Sequence, residues 1–163
     1  MNSLEKINSK IIMEWDLLPG ILSDWKKSNQ KIVFTNGCFD IIHRGHIELL
    51  SKAADLGQKL IIGLNSDSSV QRLKGAGRPV QDETSRAMIM SGFGFVSLVI
   101  IFNQDTPFEL INLIKPDILV KGGDYKSEEI IGYDIVTKNN GQVIIFNFVE
   151  GYSTTSIVNK LKE

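Results

Sequence analysis

The 163-residue chain contains 2 histidines, His43 and His46, separated by Arg44-Gly45. Ahead of them runs Phe34-Thr35-Asn36-Gly37-Cys38-Phe39-Asp40-Ile41-Ile42, an apolar, β-branched run passing into a glycine-containing turn. A helical pattern starts at the second histidine. Side chains at i and i+3 on the first turn of a helix share a face and lean toward its N-terminus. That end presents unpaired backbone N–H groups and the positive pole of the helix dipole. Imidazole N–H donors beside it make a pocket for phosphate, and the stretch reads as a nucleoside-triphosphate site.

Nucleotidyl transfer is the chemistry such a site suits, because it needs no protein nucleophile. A phosphate oxygen of the acceptor bonds to the α-phosphorus, the bridge to the β-phosphorus breaks, and pyrophosphate leaves. Catalysis then consists of in-line positioning and stabilisation of charge on the phosphate oxygens. His43 and His46 can donate to the α- and β-phosphate oxygens. Gly45 leaves room for the triphosphate, and Gly37 lets the amides of the turn approach it. Lys74 and Arg78, among the glycines of a loop, are placed to fold over the pyrophosphate half. Ser153, Thr154 and Thr155 offer hydroxyls and amides to a further phosphate. Asp40 or Asp124 could assist Mg²⁺, a metal that binds mainly through substrate phosphates and waters. The competing reading is a zinc site built from Cys38, Asp40, His43 and His46, although their spacing follows no standard zinc pattern. Taken singly, Ser153-Thr154-Thr155 reads equally well as a helix cap, Gly122-Gly123 as a turn, and Lys74 and Arg78 as solvated loop charges.

The elements that must hold these residues alternate between strand and helix. Five strands are expected at residues 31–35, 59–64, 96–102, 118–121 and 142–146, several of them apolar on both faces as in a covered parallel sheet. Between them the patterning predicts the motif helix and a short helix after Asn65-Ser66-Asp67. It also predicts a helix capped by Asp82, one opened by a Thr106-Pro107-Phe108-Glu109 capping box, one at residues 133–138, and a last helix after Glu150-Gly151-Tyr152-Ser153. Upstream, residues 1–30 read as a loosely held arm followed by a helix capped by Asp16, packed on a nucleotidyltransferase domain at residues 31–163. The expected fold is α/β, a doubly wound, Rossmann-like, mostly parallel sheet with helices on both faces. The polar clusters follow the first, fourth and fifth strands, at the carboxyl edge where open parallel sheets bind ligands.

Composition limits the partners. A net charge of -1 gives no basic excess for nucleic acid, so phosphate recognition must be local. One cysteine, Cys38, suits a reducing cytoplasm, and no stretch has the form of a signal peptide or a bilayer span. The expectation is a cytoplasmic enzyme with no membrane partner.

The motifs Gly37-Cys38-Phe39-Asp40 and His43-Arg44-Gly45-His46, with the closing Ser153-Thr154-Thr155, resemble those of the nucleotidyltransferase superfamily of cytidylyltransferases and related adenylyltransferases. Asn65-Ser66-Asp67, Leu73-Lys74-Gly75, Arg78-Pro79-Val80 and residues 120–125 narrow the resemblance to the adenylyltransferases that make ADP-heptose from ATP and D-glycero-β-D-manno-heptose 1-phosphate. The resemblance implies that His43 and His46, with Lys74, act on the triphosphate. It implies that Thr35, Asn36, Gly37, Cys38, Phe39, Asp40, Gly45, Asn65, Asp67, Arg78 and Glu150 belong to the nucleotide-binding set. Lys121, Gly122, Gly123 and Asp124 would border the nucleoside, and Ser153, Thr154 and Thr155 would contact phosphate. It further implies Mg²⁺ carried by the triphosphate, a homodimer, a separate upstream sugar kinase, and a product feeding lipopolysaccharide or a related glycan. The rival substrates are CTP with glycerol 3-phosphate or another sugar phosphate. The segment 147–151 lacks the arginine of the glycerol-phosphate branch, and Ser97 stands where an aspartate is usual. A rival of another class is a non-catalytic nucleotide-binding regulatory module.

Overall fold

The computed structural model describes residues 1–147 and 149–161; Phe148 and residues 162–163, which fall within the stretches considered above, lie outside the described residues. β-Branched and leucine-rich runs form strands β2 (Ile32–Gly37), β3 (Lys59–Asn65), β4 (Leu98–Phe102), β5 (Ile118–Gly122) and β6 (Gln142–Phe146). With β1 (Ile11–Ile12) they make a 6-stranded sheet in the order β1-β4-β3-β2-β5-β6. Every pairing is parallel. Helices α2 (Leu18–Lys27), α6 (Phe108–Ile114) and α7 (Tyr133–Lys138) cover one face, burying Leu22, Ile111 and Val136 against Phe34, Ile61 and Leu119. Helices α3 (Arg44–Ala54) and α5 (Glu83–Gly92) cover the other, burying Leu50, Ala53 and Met90 against Val33, Ile62 and Val99. Strand order reverses on either side of β2: the chain moves outward through β3 and β4, then returns to β5. The crevice at the carboxyl ends of β2 and β5 is therefore the topological switch point.

The sixth strand corrects the expected count of five. Two residues are too short to show a period, yet Ile11 pairs with Val99 and Ile12 with Ile100. The start of the chain is also more firmly attached than an arm. Asn2 and Glu5 form a reciprocal capping box on α1 (Ser3–Asn8), and the Lys10 ammonium donates to the Ser91 and Phe93 carbonyls. Asp16 caps nothing, because it lies within a single 3-10 turn leading into α2, where Trp15 Nε1 donates to the Ile101 carbonyl at 3.0 Å. The Thr106–Glu109 capping box does not form either. Pro107 is the N-cap of α6, and the Glu109 carboxylate accepts from Gln104 instead. Strand β4 starts at Leu98 rather than at residue 96, since Ser97 uses both its N–H and its hydroxyl oxygen to fasten Leu60.

Candidate functional site

Helix α3 starts at Arg44, two residues before the expected position, so His43 is its N-cap and His46 its third residue. The rings stack face to face with centroids 3.9 Å apart. The Phe39 and His46 rings meet edge to face, with centroids 5.4 Å apart. A glycine closes each end of this row. A Cβ on Gly37 would stand 3.0 Å from the Phe39 ring, and one on Gly45 would stand 3.1 Å from Cε1 and Nδ1 of His43. The two glycines therefore make room for the protein's own rings, where the sequence reading placed a close approach of ligand. Phe39 holds the sharp turn at φ 45, a left-handed conformation that is uncommon for a bulky residue and concentrates at functional sites.

His46 Nδ1 faces the His43 N–H at 3.4 Å, a geometry that leaves the proton on Nε2. Among the described residues His43 Nδ1 is buried without a partner. Beside the positive end of a helix an unprotonated nitrogen is the cheaper group to bury, which again leaves Nε2–H as the donor. Burial lowers the pKa of His43. Burial, and then the charge of His43, pushes His46 down to about 4. Both rings are thus neutral donors at pH 7.

These imidazoles form one wall of a cavity of about 560 Å³. Gly45, Lys74, Glu150, Ser153, Thr154 and Thr155 also line it, so eight of the sequence-predicted residues share one space. Lys74 ends α4 (Asp67–Lys74), and Gly75 (φ 92) and Gly77 (φ 88) follow it in left-handed backbone with open space around each. Ser153 caps α8 (Thr154–Lys160), its hydroxyl accepting from the Ser156 N–H at 3.0 Å. A cleft of about 640 Å³ between α2 and α6 contains none of the predicted residues.

The other predicted residues are engaged differently. Buried Asp40 accepts from Arg78 Nε at 2.7 Å and from the Val80 and Gln81 N–H groups at 2.9 Å. Burial acts to raise its pKa, but the Gln81 and Val80 amides and the Arg78 guanidinium outweigh that and hold it below the usual range. Asp40 and Arg78 therefore anchor the 78–81 loop to the motif turn, and neither projects a free charge toward the cavity. Asn65 bonds Ser69, and Asp67 pairs with Arg86 at 2.8 Å. Thr35 is buried within β2. Burial, partly offset by Lys74, Arg86 and Arg78, raises the pKa of Cys38, so its thiol stays protonated at neutral pH. Lys121 donates to Asn36 Oδ1 at 3.0 Å across the switch point, and burial lowers its pKa. Gly122 ends β5, Gly123 (φ 134) turns the chain, and Asp124 is exposed. Arg44, left without a role by the sequence, pairs with Glu48 at 2.6 Å and sits 5.6 Å from the Tyr152 ring centroid. Glu48, then Tyr152, raise its pKa.

Arg86 is the residue that sequence reasoning missed. Fully buried, it donates to the carbonyls of Cys38, Asn65 and Gln81 at 2.7, 2.8 and 3.0 Å as well as to Asp67. It thereby ties the ends of β2 and β3 to the loop held by Asp40. Its signal was a charge four residues before Met90 on the same buried stripe. The zinc reading loses its geometry, since the Asp40 oxygens are occupied. Among the described residues no group of three or more His, Cys, Asp or Glu could hold a metal ion.

Fold and site together define an α/β protein that offers a neutral imidazole pair at a helix N-terminus beside a sheet switch point. Residues 34–160 match the cytidylyltransferase-like family model, and the chain belongs to that family. It is 56% identical over 138 residues to the bifunctional protein HldE of Campylobacter jejuni, covering 85% of this chain and 29% of the relative. The HldE of Nitrobacter hamburgensis is 48% identical over 151 residues, covering 93% of this chain and 31% of the relative. The chain thus spans less than a third of the length of these relatives. The crystal structure of the lipopolysaccharide core biosynthesis protein from Thermoplasma volcanium superposes with a TM-score of 0.61 at 26% identity, covering 76% of this chain and 99% of that one.

Proposed function

We propose that the protein transfers AMP from ATP to D-glycero-β-D-manno-heptose 1-phosphate, giving ADP-heptose and pyrophosphate. The observation that carries this reading is the stacked His43–His46 pair sharing one cavity with Lys74 and Ser153, Thr154 and Thr155. Neutral Nε2–H donors in a partly desolvated site are preorganised for charge that grows on the phosphate oxygens as the Pα–O bond to pyrophosphate breaks. Lys74, on its glycine-flanked loop, serves the pyrophosphate half. The Lys121–Asn36 pair and residues 122–124 border the nucleoside at the switch point. Mg²⁺ enters as part of the nucleotide substrate, a reading supported by the full occupation of the Asp40 oxygens by protein donors. Among the described residues no helix is long and apolar enough to cross a membrane, and a cytoplasmic location is part of the proposal. So are a homodimer and a separate upstream sugar kinase, both carried by resemblance. The acceptor is supported by the similarity to HldE proteins and to a protein named for lipopolysaccharide core biosynthesis.

Pyrophosphate release measured with ATP or CTP, each crossed with heptose 1-phosphate or glycerol 3-phosphate, tests this reading. Turnover with ATP and the heptose phosphate is expected. Turnover with CTP alone refutes the choice of base, and nucleotide binding without any turnover refutes the enzyme. His46→Ala is expected to lower turnover by about two orders of magnitude or more, the cost of one preorganised donor. Near-normal turnover in a folded variant refutes the role given to the pair.

A further inference from the structure

The far wall of the cavity, residues 149–156, is lightly fastened. Helix α8 buries none of its residues. Among the described residues the hydrogen bonds of 149–161 to the body reduce to one, Thr154 Oγ1 to the Ile41 carbonyl at 3.4 Å. Gly151 (φ 84) has open space around it and sits just before Tyr152. A second polar tie is the Tyr152 ring on the Arg44 guanidinium, 5.6 Å from centroid to carbon, and Thr154, Ser156, Ile157 and Val158 are half-buried.

Arg44 is an unexpected choice for its position. As the first residue of α3 it puts a cation at the positive pole of the helix, where a cation is disfavoured. Glu48, one turn later, offsets that charge and fixes the guanidinium through a 2.6 Å contact. Arg44 does not line the cavity; its flanking residues His43 and Gly45 do, as does Tyr152. The contact therefore bridges the two walls, with the Arg44 cation outside the space where a polyphosphate would lie and Tyr152 at its border.

We propose that Arg44 and Tyr152 form a latch that holds residues 149–156 against the N-terminus of α3 and so sets how tightly the cavity grips a polyphosphate. The proposal rests on the nucleotide reading of this cavity. Both are positioning residues: the ring anchors the far wall, and Glu48 anchors the cation. An exposed cation–π contact corresponds to about a twofold to fivefold effect on an equilibrium constant.

Calorimetric titration of the full chain with MgATP, without acceptor, is the direct test. Tyr152→Ala and Arg44→Met are each expected to weaken binding about fivefold. The double variant is expected to bind no more weakly than either single one, the signature of a shared contact. Tyr152→Phe keeps the ring and is expected to restore most of the affinity. In turnover assays the loss is expected in KM for the nucleotide, with kcat within about twofold, and thermal stability is expected to hold. Additive losses, or unchanged affinity in both single variants, overturn the latch. Wild-type protein that binds neither ATP nor CTP overturns the nucleotide reading itself, which separates the two failures.

Discussion

Gly45→Ala offers a test in which stability and activity are expected to move in different directions. Gly45 lies in the first turn of α3 with ordinary helical backbone, where alanine in place of glycine adds at most the interior value of about 0.5–1 kcal/mol of helix stability. The new methyl group would stand 3.1 Å from Cε1 and Nδ1 of His43 and 3.6 Å from the Tyr152 Cβ. The second contact is ordinary; the first is too close by a few tenths of an ångström. His43 is sandwiched against His46, so its ring must slide or tilt, carrying its Nε2–H out of line. A misplacement of about 1 Å can cost a hundredfold in rate, so a shift of a few tenths is expected to cost about tenfold in kcat. Gly20→Ala is the matched control, since a Cβ at that position in α2 would meet nothing within 4 Å. It is expected to raise Tm by about 1–4 °C without touching turnover. Both variants are read by thermal melts and by pyrophosphate release. If Gly45→Ala keeps wild-type kcat, the ring row is not the catalytic geometry, and the reasoning from the 3.1 Å contact fails.

Three further outcomes follow from the same geometry. Lys74→Ala is expected to raise KM for ATP or slow pyrophosphate release; unchanged steady-state constants would make the 74–77 loop ordinary surface. Arg86→Met is expected to cost about 3 kcal/mol in denaturant unfolding, because it strands the buried Asn65 carbonyl and the half-buried Cys38 and Gln81 carbonyls and leaves Asp67 without its partner; a loss below about 1 kcal/mol would contradict the network. Thermal stability is expected to fall by several degrees, about 3–6 °C, as pH drops from 6.5 toward 4. In that window an unfolded imidazole, with its ordinary value of 6.5, binds a proton that folded His46 refuses until about 4. The stabilisation is complete above the unfolded value and is lost on acidification; His46→Asn is expected to flatten this limb, and an unaltered limb would refute the assignment.

Legibility in the sequence followed the length scale of each interaction. Strands β2, β3, β5 and β6 were readable because long apolar runs carry their own period, whereas Ile11–Ile12 became a strand only through its partners Val99 and Ile100. The His43–His46 pair was readable because local helix geometry alone sets its spacing. The roles of Asp40 and Asp67 were not, because a carboxylate near a motif looks the same in sequence whether it faces ligand or a buried arginine. What separates the cases is a contact across 38 residues to Arg78 and one across 19 to Arg86. Ser97 shows the same limit, since its hydroxyl meets Leu60 across 37 residues.

The use of imidazole rather than lysine at the centre of the site follows from the same local physics. A permanent cation at the N-terminus of α3 would oppose the helix dipole and bear the full cost of burial. A neutral Nε2–H donor carries neither cost and still points a partial positive charge at developing negative charge. Burial, and then the charge of His43, are what keep His46 neutral, holding it at about 4. The cations that remain nearby lie where charge is tolerated: Lys74 exposed at the end of α4, and Arg44 turned outward onto Glu48 and Tyr152. Gly37 and Gly45 then acquire a physical necessity, because they give the row of rings the room to form.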